Sequence, residues 1–280
     1  MSKAGYISLQ PLRGNPGDAG ETHGPIVDAL ETALNVNDDA LIPEAARRLA
    51  EQLDGIIPAR EDPAEKESEV ENARYNAYTT LLQAVQQVPA GHEAHRRFAL
   101  VLRDLASLDG HPAWQRLEGF AICNRDAWQD PSLNFEPVTD PEAYEQWCNL
   151  NAFIATLLST GAINWRELPI WELRDGLEEN LEQLSQENRD TRVVVATLWI
   201  KNAGNFIWEQ TLSGKAEDLD ETDTRMLRAG ELYKGQSGYS RDRWDFWKKR
   251  LGELRSQVSE SPSSAIDEAL EAMAGLEEKN

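Results

Sequence analysis

The side chains best equipped for chemistry fall in three short groups: Asn124, Arg125, Asp126 and Trp128; Trp147, Asn149 and Asn151; and Trp171, Arg174 and Asp175. Each group sets charged or amide side chains beside aromatic surface, the combination from which ligand pockets are built. Gathered in one place, Arg125, Asp126, Trp128, Trp147, Asn149, Asn151, Trp171, Arg174 and Asp175 would make a ligand-binding site. A cofactor-independent enzyme of cyclase or isomerase type is one use of it, with Arg125, Asp126, Asn151 and Arg174 positioning a hydrophobic metabolite electrostatically. The plainer reading makes Arg125, Asp126, Arg174 and Asp175 ion pairs that tie helices together, with the tryptophans filling the core. The residues alone leave both readings open.

Other candidates have less behind them. His92 and His95 stand three apart, whereas the zincin pattern needs two histidines four apart, and Arg96 and Arg97 beside them disfavour a bound cation. No metal and no cofactor is expected. Cys123 and Cys148 both sit in helical apolar patterns and read as reduced core thiols. The acidic runs at Asp38-Asp39 and residues 217–221 lack the apolar helical context of a diphosphate site and read as solvated charge. The glycines before residue 25 have no preceding strand and no following Gly-Lys-Ser/Thr, so they make no phosphate loop.

The elements that must carry these residues are helical throughout. Residues 1–24, rich in glycine and proline, form a flexible lead, and residues 25–280 a single helical domain. Ile26, Val27, Leu30 and Leu34 make one stripe, and Leu41, Ile42, Ala45, Leu49 and Leu53 a second. A charged linker over residues 61–69 leads to a stripe of Tyr78, Leu81, Leu82, Val85 and Val88. A short loop later comes Phe98, Val101, Leu102, Leu105 and Leu108, an arrangement that predicts an antiparallel hairpin.

Asp140 and Pro141 are an N-cap and first-turn residue for a helix over residues 141–159, apolar around much of its circumference and therefore central. Asn151 lies on its apolar stripe and needs hydrogen-bond partners inside the fold. Further helices carry Ile170 to Leu184, Val193 to Trp208 with Gly204 allowing close approach, Trp244 to Leu254, and Ile266 to Leu276. No alternating strand pattern appears. The expected fold is all-α, an irregular multi-helix bundle of about nine to ten helices.

Composition bounds the partners. With 49 acidic against 28 basic residues and a formal charge of −21, the surface repels phosphate backbones, so nucleic acid is not an expected partner. Hydrophobic residues at 40% are enough for a core, yet no apolar run reaches the ~18–20 residues that span a bilayer, so no membrane insertion is expected. The opening residues lack a secretory pattern, which predicts a cytoplasmic protein.

Four ordered segments carry a family likeness. They are residues 117–120 leading into Arg125-Asp126-Ala127-Trp128, residues 147–153 (WCNLNAF), residues 170–175 (IWELRD) and residues 238–247 (GYSRDRWDFW). On these the chain resembles, over roughly residues 25–276, the fungal family catalogued as domain of unknown function 3632. Cys148-Asn149 departs from the small or aliphatic residue expected before Leu150. The resemblance implies a helical, intracellular fungal protein, associated in some members with secondary metabolism, and transfers no catalytic residue. The expected function is therefore that of a helical binding or accessory protein without an internal pocket, its partner a hydrophobic small molecule or a protein. A third use, an acidic adaptor working through the C-terminal helix, follows from the same charge.

Overall fold

A computed structural model describes residues 5–13, 23–133, 140, 142–214 and 219–279. Among them there are eleven α-helices and no strand, so the fold is all-α as expected, with one helix more than the sequence pattern resolves. The described residues gather in two compact units. One contains the described chain up to Gln129 with Thr160–Ile163; the other holds the remainder.

The first unit carries α1 (His23–Leu34), α2 (Ile42–Asp54), α3 (Pro63–Gln86), α4 (Glu93–Ala106) and α5 (Phe120–Ala127). Part of the lead expected over residues 1–24 lies outside the described residues. Residues 5–13 are held: Leu9 is buried, Asn35 exchanges two hydrogen bonds with the Ile7 backbone, and Arg13 pairs with Asp28 and Glu31.

The segment expected as a charged linker is instead the start of α3. The Asp62 carboxylate accepts from the Ala64 and Glu65 N–H groups and Pro63 fills the first turn, so cap chemistry decides the conformation and the charges simply face water. The hairpin expected of α3 and α4 is also corrected. Both turn their apolar stripes to α1, with α3 continuing onto α5 and α4 onto α2, because α1 is apolar on enough of its surface to serve both.

The histidine pair has structural uses. His92 is the N-cap of α4, its Nδ1 accepting from Ala94 N at 3.1 Å. His95 is buried, and its Nε2 lies 3.4 Å from Val85 O. Burial pulls its pKa from 6.5 to about 4.

The folded state thus keeps this imidazole neutral where the unfolded chain protonates it. Between pH 6.5 and 4 the unfolded state holds more protons, so stability falls as pH falls, by up to roughly 3 kcal/mol from this residue. We expect the stability difference between the wild type and His95→Leu, from urea unfolding, to shrink by about that amount between pH 7 and pH 4. A difference independent of pH would contradict the assignment.

The second unit carries α6 (Glu142–Ser159), α7 (Glu167–Leu173), a π-helical turn (Arg174–Glu178), α8 (Gln186–Leu212), α9 (Glu221–Met226), α10 (Arg241–Leu254) and α11 (Glu260–Glu277). Asp140 caps α6 through Glu142 N at 3.0 Å; Pro141 lies outside the described residues. The core is made by α8 packed between α6 and α11, and both α6 and α8 are buried over much of their circumference.

Two glycines set how closely elements meet. A Cβ on Gly204 would stand 3.1 Å from Leu276 of α11. One on Gly176 would stand 2.6 Å from the Arg192 carbonyl oxygen, so the π-helical turn lies directly on the α8 backbone. That turn re-aims Glu178 into the unit's interior, the change of side-chain direction that an inserted residue in a helix produces.

Candidate functional site

The residues picked out by sequence fall in both units. Arg125, Asp126 and Trp128 belong to the first. Arg125 and Asp126 are a surface pair at 3.3 Å, their side chains 76% and 49% exposed, worth at most about 1 kcal/mol. Trp128 is half-buried at the C-cap of α5, its backbone N–H donating to Arg125 O. Trp147, Asn149, Asn151, Trp171, Arg174 and Asp175 belong to the second unit.

There the structure joins Trp147 and Asn151 through hydrogen bonds. Asn151 is fully buried: its Nδ2 donates to Trp147 O at 3.0 Å, and its Oδ1 accepts from Trp199 Nε1 at 2.8 Å. Asn149 is buried on the same helix. Trp171 donates its indole N–H to Met226 O at 2.8 Å, and Arg174 donates to its neighbour Asp175 at 3.2 Å. These bonds fasten α6 to α8 and α7 to the end of α9.

The richest polar cluster was not picked out from sequence. Arg243 of α10 and Glu178 of the π-helical turn are both fully buried, joined at 2.6 Å (Nε to Oε1) and 3.0 Å (Nη2 to Oε2). The remaining guanidinium protons go to Leu227 O, Gly238 O and Arg228 O at 2.8 to 3.0 Å. The carboxylate also accepts from Trp247 Nε1 at 2.6 Å and Gly230 N at 2.8 Å.

Every donor of the guanidinium and both carboxylate oxygens are therefore satisfied, and the rings of Tyr233 and Trp247 lie 5.5 Å from the guanidinium carbon. A Cβ on Gly230 would stand 2.6 Å from Glu178 Cβ, so the loop backbone closes the cluster from that side. No lone pair or proton is left over for a substrate; the cluster holds the loop over residues 227–240 in place. The signal available in sequence was helical register, since Arg243 sits four residues before Trp247 on the buried face of α10.

Open space lined by chemistry lies in the first unit. A groove of about 460 Å³ lies between α3 and α5, lined by apolar or aromatic Tyr75, Tyr78, Ile122 and Cys123 and by Glu71, Asn72, Arg74, Glu118 and Gly119. This is within the range of small-molecule sites. Tyr75 and Ile122 are 51% and 55% exposed although both are large and apolar, so the groove presents apolar surface to solvent.

Tyr78 is 1% exposed, its ring edge-on to Trp114 and Phe120, and its hydroxyl is buried without a hydrogen-bond partner among the described residues. Burial pushes its phenol well above the ordinary tyrosine range; the charges it senses are those of Arg74, Cys123 and Glu118, all groove residues. Arg74 is held by Ala113 O at 2.5 Å and Glu118 at 2.9 Å.

The two thiols are free. Burial raises the Cys123 pKa and takes Cys148 up to about 12, so neither is poised as a nucleophile. Among the described residues no three His, Cys, Asp or Glu side chains gather as a metal site, and no helix is long and apolar enough to cross a membrane. In α11, Glu268 pairs with Lys201, Asp267 with Arg255 and Glu277 with Lys248, so much of its charge is turned onto its own unit.

Fold and sites together define an all-α protein with closed polar clusters in one unit and an open apolar groove in the other. The chain belongs to the family described as Protein of unknown function (DUF3632), whose model matches residues 78–251. The match includes all four segments of the sequence likeness, the Arg243–Glu178 cluster and the α5 side of the groove, and it begins at Tyr78. No curated protein and no solved structure matches the chain.

Proposed function

We propose that this chain is a helical binding protein whose α3–α5 groove receives a hydrophobic small molecule. The observation that carries the reading is the pairing of Tyr75 and Ile122, each about half exposed, across a groove of about 460 Å³. Leaving such side chains half in water forgoes burial worth roughly 1 kcal/mol apiece, about half the value of full burial, which a ligand lying between them recovers. Secondary metabolism, which the family likeness implies, would supply hydrophobic molecules of this kind.

The polar groups outside the groove lend support from the other side. Asn151, Trp171 and the Arg243–Glu178 pair are engaged in bonds that hold helices and loops, and Arg125 and Asp126 face solvent. Nile red, an uncharged hydrophobic dye, tests the reading: its fluorescence is expected to rise with the wild-type chain and to lose most of that rise with Ile122→Glu or Tyr75→Ser. Dye emission indifferent to both substitutions would remove the groove from consideration.

A further inference from the structure

The groove sets a carboxylate beside an exposed aromatic ring, and that juxtaposition restricts what fits. Resting on the binding reading above, we infer that the α3–α5 groove prefers a hydrophobic molecule carrying an ammonium group, which sits between the Glu71 carboxylate and the Tyr75 ring while the apolar body lies along Ile122.

Helical register is the first part of the argument. Glu71 and Tyr75 are four residues apart in α3, so their Cβ atoms stand about 5–6 Å apart on one face of the helix. Both are exposed and both line the groove, so a bound molecule reaches the two together. Long helical side chains lean towards the N-terminus, the direction that carries the Tyr75 ring over the turn bearing Glu71. An aromatic face next to a carboxylate attracts an ammonium group twice, the ring through its quadrupole and the carboxylate through its charge.

Charge balance is the second part. Two carboxylates, Glu71 and Glu118, and one guanidinium, Arg74, line the groove. Arg74 holds Glu118 at 2.9 Å and the Ala113 carbonyl oxygen at 2.5 Å, its side chain only 16% exposed. Glu71 makes no ion pair or hydrogen bond among the described residues, so the groove keeps a net negative charge. An anionic ligand would meet that charge with the groove's cation already engaged, whereas an ammonium group compensates it. The third part is the apolar body: Ile122, 55% exposed on α5, offers it a surface on the other helix of the groove.

Three naphthalenes separate these contributions: 1-(2-naphthyl)ethylamine, protonated at neutral pH, 2-acetylnaphthalene, which has the same carbon skeleton, and 2-naphthoate, each titrated calorimetrically into the full chain. The ammonium is expected to bind roughly 3- to 10-fold more tightly than the ketone, the combined size of an exposed ion pair and an exposed cation–π contact, and the carboxylate more weakly than the ketone. Glu71→Gln should remove most of that preference and leave the ketone's affinity unchanged. Glu271→Gln makes the same change of net charge at an exposed position of α11, in the other unit, and should preserve it. Tyr75→Leu keeps an apolar wall without a π face and should weaken the ammonium more than the ketone. Ile122→Gln, which adds no charge and replaces an exposed side chain, should lose all three probes.

Equal affinities for ammonium and ketone, a preference that survives Glu71→Gln, or one that Glu271→Gln removes as fully would overturn the inference while the binding reading stands. So would a carboxylate bound as tightly as the ammonium, or a Tyr75→Leu loss shared equally by ammonium and ketone. If none of the three probes binds, or if binding ignores Ile122→Gln, the binding reading falls together with the inference.

Discussion

Arg243→Met is expected to destabilise the second unit by about 3–5 kcal/mol, read as a lowered midpoint in urea followed by tryptophan fluorescence. The substitution nearly conserves apolar length but removes five N–H donors from a fully buried site. Glu178 would keep only the Trp247 and Gly230 donors against its buried charge, and the carbonyls of Leu227, Arg228 and Gly238 would lose their shared partner. Adding Glu178→Gln should recover part of the loss, because it removes the charge while retaining an acceptor for Trp247. A cost below about 1 kcal/mol for Arg243→Met would mean that water reaches the cluster and replaces the guanidinium.

Asn151→Ala is expected to cost about 3 kcal/mol. Two effects combine: the Trp199 indole N–H loses its acceptor in the core, and the small residue leaves a gap between α6 and α8. A double-mutant cycle with Trp199→Phe distinguishes them. Once the indole donor is gone, loss of the Asn151 amide leaves no orphan, so the pair should cost less than the sum of the single changes by about 1 kcal/mol or more. Additive costs would show that the amide contributes by volume alone. Neither change should alter binding in the α3–α5 groove, whose walls belong to the other unit.

What could be read from sequence was whatever depends on near neighbours along the chain. The stripe of α6, its Asp140 cap and the need for a partner at Asn151 follow from period and polarity within a few residues, and the structure supplies that partner in Trp199. Cap chemistry was legible too, yet charge density over residues 61–69 masked the Asp62-Pro63 start of α3. His92 and His95 stand as a pair in the sequence, but helical register sends one to the cap and the other inward.

Contacts between distant residues left no such trace. Glu178 lies in an acidic stretch that reads as solvent-facing until a π-helical turn redirects it to Arg243, 65 residues away. The groove is the same kind of case: Tyr75 and Ile122 are ordinary apolar residues on two helices, and only the packing of α3 beside α5 leaves both uncovered. The candidate set drawn from sequence gathered amides, charges and indoles, of which Asn151 and Trp171 mark places where helices are fastened. The proposed ligand-facing surface is made from residues whose types gave no warning.

The most direct test of the groove as the binding site is a two-dimensional NMR titration of the labelled chain with 2-acetylnaphthalene. The Gly119 amide and the indole N–H of Trp114, whose ring centre lies 6.0 Å from that of Tyr78, should shift progressively. The indole signals of Trp199 and Trp247, held in closed clusters, should stay in place. Shifts concentrated on Trp171, Trp199 or Trp247, with Gly119 and Trp114 unmoved, would contradict the account and return the search to the second unit.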